Sequence, residues 1–230
     1  MARRSSAHSI RPHRYHFSVV DIAVAIESGT SKTFARAIEW PGWCRSGKAI
    51  EGALAELDRY ASRYARVAAT AQIEFPGDGL TFTIVEELPG NVTTDFGAPG
   101  ITFADDLVPL SGVERSQWMA LLHASWAEFD RTVMASSETL AKGPRGGGRD
   151  LTKLVDHVLE AERAYVPKLG IRVPKVVRGD DPQIASNRLA ILVAIENDSL
   201  ARQWPLRYWI GRTAWHLLDH AWEIEDKQTE

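Results

Sequence analysis

The last stretch of the chain, Pro205 to about Lys227, reads PLRYWIGRTAWHLLDHAWEIEDK and leaves little choice of secondary structure. Proline suits a first helical position, where its missing N–H would have no partner anyway, and no glycine follows Gly211, so the segment predicts a helix of several turns. Wound at 3.6 residues per turn, Leu206, Ile210, Ala214, Leu217, Leu218, Ala221 and Ile224 fill one broad apolar arc, with Trp215 and Trp222 beside it. A narrower strip carries Trp209, Arg212, Thr213, His216, Asp219, His220 and Glu223. His216 and His220 are one turn apart, so both imidazoles lie on the same side and can reach one ion. Two readings fit this pair. An ordinary amphipathic helix would turn the strip to water, with the histidines exposed or paired to Asp219 and Glu223. Alternatively they are two ligands of a metal site whose third ligand lies elsewhere.

Three more helical segments precede this one. Val113 to Leu140 repeats Trp118, Leu122, Trp126, Phe129 and Val133 at spacings of four and three. Asp150 is a natural N-cap for a second helix, to about Val166 before Pro167, and Asp181-Pro182 opens a third to about Arg202. Four helices in succession, each with one apolar side, predict a bundle over residues 113–230. The glycine-rich run GPRGGGR at 143–149 lacks the G-x-x-x-x-G-K-[ST] order and follows a helix, so it reads as a turn and not as a phosphate cradle.

Residues 16–88 have a different pattern. Phe17 to Glu27 and Lys32 to Glu39 are β-rich runs joined by Ser-Gly-Thr-Ser, which reads as a hairpin. A Pro41-Gly42 turn and a short third strand through Trp43 and Arg45 follow. Lys48 to about Thr70 is expected as one helix, and Leu80 to Leu88 as a fourth strand. Residues 89–112, rich in Gly, Pro, Asp and Thr, read as a connector with one extended piece near Ile101 to Phe103. The expected class is therefore α+β: a module of three strands, a helix and a strand, followed by an all-α four-helix bundle.

Composition narrows the function classes. The 230 residues can bury a substantial core, and a net charge of −3 argues against a general nucleic-acid coat. Residues 1–15 form a basic arm with Arg3, Arg4, Arg11 and Arg14, expected to be disordered, and His8, His13 and His16 in and beside it are expected to bind nothing. The single cysteine, Cys44, excludes an internal disulfide and fits a reducing compartment; no base lies near it in sequence, which argues against a catalytic thiol. No apolar run reaches membrane-spanning length and none has the shape of a secretory signal, so a cytoplasmic protein is expected.

The second helical segment, LTKLVDHVLEAERAYV, places His157 at the edge of a buried arc of Leu154, Val158, Ala161 and Tyr165, with small neighbours that leave room for a ligand. His157 in DHVLEAE, with His216 and His220 in WHLLDHAWEIED, resembles the DinB/YfiT-like family of four-helix-bundle metalloproteins. The resemblance covers roughly Val113 to Lys227 and implies a tri-histidine divalent metal site in the bundle core. Some relatives replace one histidine with a carboxylate; here all three positions match as His. Three imidazoles with an open fourth position suit Zn²⁺, and imidazole also accepts Ni²⁺ or Fe²⁺. Characterised members include thiol-dependent transferases and isomerases, so the resemblance implies a metal-dependent enzyme. A transferase using a low-molecular-weight thiol, or a hydrolase, would then act on a small-molecule substrate.

Nearby residues carry smaller expectations. Arg212, one turn before His216, could hold a substrate carboxylate or pair with Asp219 or Glu223. Asp219 or Glu223 could orient an imidazole. Glu160 is a general base near His157 or simply a solvated glutamate, and His123 reads as packing or rim on the first helix of the bundle.

In the first third, Thr33 to Ile38, Trp40-Pro41-Gly42-Trp43, Gly47 and Glu51 to Leu57 resemble the small domain of HicB-like antitoxins, which implies a protein partner. The DNA-binding tail that such proteins often carry is not evident. The rival function is accordingly a non-catalytic interaction protein, with the bundle as a homodimerisation platform. A fourth protein ligand closing the metal site would favour that rival, and an open position favours an enzyme.

Overall fold

The computed structural model describes residues 20–77, 79–141 and 150–228. The basic arm at 1–15, with His8, His13 and His16, and the glycine-rich run at 143–149 lie outside the described residues.

The chain is α+β. Strands β1 (Val20–Ser28), β2 (Thr33–Ala37) and β3 (Cys44–Gly47) are followed by helices α1 (Ile50–Arg59) and α2 (Ala61–Thr70) and strand β4 (Leu80–Pro89). A short helix α3 (Val92–Phe96) and a 3-10 turn (Asp105–Leu107) lead to four long helices: α4 (Gly112–Ala135), α5 (Leu151–Leu169), α6 (Asp181–Glu196) and α7 (Leu206–Asp226). The sheet order is β3-β2-β1-β4. β1 pairs antiparallel with β2, Val24 opposite Ala37, and parallel with β4, where a bulge shifts the register between Val24 and Ala25.

One face of this sheet is sealed by α1 and α2. Ile22, Val24, Ile26, Ala35 and Trp43 pack against Ala53, Leu57, Tyr64 and Val67. The polar tips in this core are paired: the Trp43 indole N–H donates to the Leu57 carbonyl at 3.0 Å and the Tyr64 hydroxyl to the Pro41 carbonyl at 2.9 Å. A second core joins Leu122, Trp126 and Phe129 of α4, Leu154 and Val158 of α5, Ile191 and Ile195 of α6, and Trp209, Leu217 and Ala221 of α7. Each fully buried aliphatic side chain here contributes roughly 1.5–3 kcal/mol.

Helix α7 belongs to both cores. Leu218 and Trp222 enter the sheet-side core while Trp209, Ile210 and Ala214 enter the helical one. The turn after β2 explains how the sheet comes so close. Trp43 N–H donates to the Trp40 carbonyl at 3.0 Å, and Gly42 adopts φ +91° directly above α7. A Cβ at Gly42 would stand 2.9 Å from Ala214 Cβ and 3.0 Å from Leu218 Cδ1, so only glycine lets the turn lie there. As a result 15 of the 21 residues of α7 are buried, His216 and His220 of its polar strip among them.

Several boundaries differ from the sequence reading. The helix expected over 48–70 breaks at Tyr60, whose ring is held by Trp222 at 5.1 Å and by the Arg45 guanidinium at 3.9 Å. Helix α4 stops at Ala135 rather than Leu140, and α5 runs past Pro167 to Leu169. Helix α6 stops at Glu196 rather than Arg202, because the Arg202 side chain turns back to donate to the carbonyls of Ala194, Ile195 and Asn197. The expected extended piece at Ile101–Phe103 joins no sheet. Instead, the connector is strapped to β1 by buried Glu27, which accepts from the Thr94 hydroxyl and from the backbone N–H groups of Gly100 and Ile101.

Candidate metal centre

Helix α5 lies along the side of α7 that carries the polar strip, and this packing brings together all three histidines singled out in the sequence. One ligand atom from each of His157, His216 and His220 lies within 4.8 Å of the others. The Nε2 atoms of His157 and His216 are 3.3 Å apart. The ring centroids are separated by 5.1 Å for each α5–α7 pair and by 4.6 Å for His216 and His220. His216 and His220 are only 7% and 8% exposed, so the reading in which they face water is corrected. Its failure has a simple cause: a helical wheel shows which residues share a side, but not whether another helix covers that side.

Glu223 fixes the third imidazole. Its Oε2 accepts from His220 Nδ1 at 2.8 Å, and a carboxylate accepts only, so the proton is on Nδ1 and Nε2 is the nitrogen turned to a ligand role. Lys227 holds the other Glu223 oxygen. The hydrogen bond from His220 pulls the Glu223 carboxyl down to about 2, against the burial that raises it, and Lys227 adds to the lowering. Aromatic rings flank the cluster, with Tyr165 edge-on to His216 at 5.9 Å and Trp215 at 6.0 Å.

The donor set fits a metal ion. With Zn–N bonds of about 2.0–2.1 Å, the corners of a tetrahedral site lie about 3.3–3.4 Å apart, which is the His157–His216 spacing, and the remaining nitrogens need to close by no more than about 1.5 Å. Two facing Nε2 atoms can share one proton or one cation. Among the described residues, no carboxylate or thiol joins the three imidazoles as a fourth ligand.

The other candidates are placed as follows. Asp219 accepts from Arg45 of β3 at 2.7 Å. Glu160 and His123 are exposed. Cys44 is buried, and burial pushes its thiol up to about 12, which excludes a thiolate at neutral pH. Arg212 pairs with neither Asp219 nor Glu223. Its Nη1 donates to the Pro99 carbonyl of the connector, and its guanidinium lies 4.9 Å from the centre of the Trp215 ring and 5.7 Å from that of Tyr165.

Arg212 also lines a feature that the sequence reading missed. A small pocket, with room for one or two waters, sits between α7, the sheet and the connector. Phe34, Phe103, Tyr208 and Trp215 form its aromatic walls, and Gly211 lies on the α7 side. Glycine costs a helix interior about 1 kcal/mol relative to alanine. Nothing lies within 4 Å of where a Cβ on Gly211 would stand, so no close packing requires that glycine. A buried glycine inside an otherwise strong helix was the one signal of this pocket in the sequence.

The chain matches no family model, no curated protein and no solved structure.

Proposed function

We propose that the protein is a divalent-metal-dependent enzyme of DinB-like type, in which His157, His216 and His220 hold Zn²⁺, Ni²⁺ or Fe²⁺. The sequence resemblance supplies the family, with a HicB-like module at 16–88 and a DinB-like bundle at 113–230. The observation that carries the reading is the convergence of three ring nitrogens from two helices, two of them 3.3 Å apart. The Glu223 hydrogen bond to His220 Nδ1 supports it further, because a carboxylate behind the ring is what a metal-binding imidazole needs to present Nε2.

A divalent ion at this position supplies Lewis acidity towards a water or a thiol. The protein's own part is to hold the three rings in place and to keep the site partly dry. His216 and His220 are nearly closed off while His157 is half-exposed, so access runs past the α5 side. A thiol-dependent transferase or a hydrolase acting on a small molecule suits such an arrangement.

The test is metal content by elemental analysis on protein purified without an affinity metal column. Close to one zinc, nickel or iron per chain, lost in His216→Ala, is the expected result. Absence of metal, together with failure to take one up from solution, would sink the reading.

A further inference from the structure

Helix α7 carries its charges in pairs, with one exception. Arg207 meets Glu114, Asp219 meets Arg45, and Glu223 meets His220 and Lys227. Glu225 meets Arg66 and Arg131, and Asp226 meets Arg63. Arg212 has no described acid as its partner and is held by neutral groups instead: Nη1 donates to the Pro99 carbonyl, and the Tyr165 and Trp215 rings lie 5.7 and 4.9 Å from the guanidinium carbon. Its Nε is buried, whereas Nη2 is neither sealed from solvent nor bonded to a described residue, so one corner of the guanidinium stays open.

The same two rings flank the histidine cluster, Tyr165 at 5.9 Å and Trp215 at 6.0 Å from His216. Four residues on a helix separate Arg212 from His216 by about 6 Å along the axis and turn it by only about 40°. Across the seam, α5 brings half-buried His157 and Tyr165 to this strip, and between them on that side stand only the methyl groups of Ala161 and Ala164. The seam thus leads from three imidazoles to a guanidinium that is fixed and not neutralised. A donor already held still loses little freedom when it binds, and its hydrogen bonds to a carboxylate are strong ones.

Building on the tri-histidine reading, we propose that Arg212 is the substrate anchor of that site, and that the substrate is a small molecule whose carboxylate accepts from Arg212 Nη2 while its reacting atom meets the ion. A carboxylate lying between a guanidinium and a divalent ion is attracted by both, and a neutral analogue of the same shape gains neither attraction.

The test uses the full-length protein loaded with Co²⁺, because a thiolate binding to cobalt gives a charge-transfer band that reports binding without turnover. Mercaptoacetate and longer mercaptoalkanoates up to mercaptohexanoate are titrated, each against its amide. At least one acid should bind about tenfold more tightly than its amide. In Arg212→Gln that acid should fall to the affinity of its amide, while cobalt content and the affinity of the amide stay as in the wild type. Arg212→Met gives the same comparison if Gln disturbs the fold, and Arg212→Lys should restore part of the preference. No band with any acid, equal binding of every acid and its amide, or a preference that survives loss of the guanidinium in a cobalt-loaded protein would overturn the anchor and leave the metal centre standing. Failure of the wild type to take up cobalt would overturn both.

Discussion

One turn apart on α7 are two places with different surroundings. Towards α5, His216 and His220 meet His157, and the cluster gathers ring nitrogens close enough to share a proton or a cation. Towards the sheet, Gly211, Arg212 and Trp215 border a small space walled by aromatic rings. Both places are apolar-walled and both depend on the same helix being covered on all sides. The difference lies in what the covering element brings: α5 supplies a third imidazole, whereas the sheet and connector supply aromatic rings and guanidiniums.

That contrast can be broken most forcefully at the histidines. Saturating Zn²⁺ added to metal-free protein should raise Tm by about 5–10 °C, the effect of a ligand present at about a hundred times its Kd on a chain of this size. His220→Ala should reduce the rise to a degree or two, and Arg212→Gln should leave it unchanged. A zinc-induced rise that survives His220→Ala would place the ion elsewhere.

A smaller change tests the support behind the ligands. Glu223→Gln keeps all three rings but replaces the carboxylate that holds His220 Nδ1. Metal affinity, measured by competition with a chromogenic chelator, should fall about 10–100-fold. An unchanged affinity would mean that Glu223 serves only its ion pair with Lys227.

On the sheet side, Gly211→Ala should stabilise the empty protein by about 1 kcal/mol, or about 2–4 °C, because the added methyl meets open space. Metal content should not change. Destabilisation would mean that the space beside Gly211 is too small for a methyl group.

The smallest expected effect lies away from both sites. Glu114 caps α4 through the Ser111 N–H and accepts from Arg207 of α7, and chiefly that Arg207 hydrogen bond lowers its carboxyl to about 2. A lowered pKa gives stability that is fully present above the usual glutamate value of about 4.3 and is lost as pH falls towards 2. Glu114→Gln should flatten the loss of urea stability over that window and leave zinc uptake unaltered. A change in zinc uptake would show that the α4–α7 contact is coupled to the histidine cluster.

Much of this was legible in the sequence, and unevenly so. The succession of strands along the chain and the four long helices followed from periodicity and from Pro, Gly and Asp at the boundaries, whereas the β3-β2-β1-β4 order of the sheet did not. His216 and His220 were legible as a pair because helical geometry fixes their spacing, and His157 was legible as a third candidate. The burial of the pair was not, since it depends on α5 packing over a strip that sequence alone assigns to water. The break at Tyr60 had no local signal, because Arg45 and Trp222 hold that ring from far along the chain. Arg212 looked like a partner for Asp219 or Glu223 because those residues share its helix face. In the fold, Asp219 is taken by Arg45 and Glu223 by His220 and Lys227. The pocket was invisible for the same reason: it is made by residues from β1, β2, β3, the connector and α7, with only Gly211 hinting at space.

The measurement that tests the central claim most directly is X-ray absorption at the K-edge of the bound metal in the purified protein. The tri-histidine account predicts three imidazole nitrogens at about 2.0–2.1 Å, with the characteristic outer-ring scattering, and light-atom donors completing the shell. Sulfur at about 2.3 Å, a shell of oxygens without ring scattering, or a spectrum unchanged in His216→Ala would contradict it.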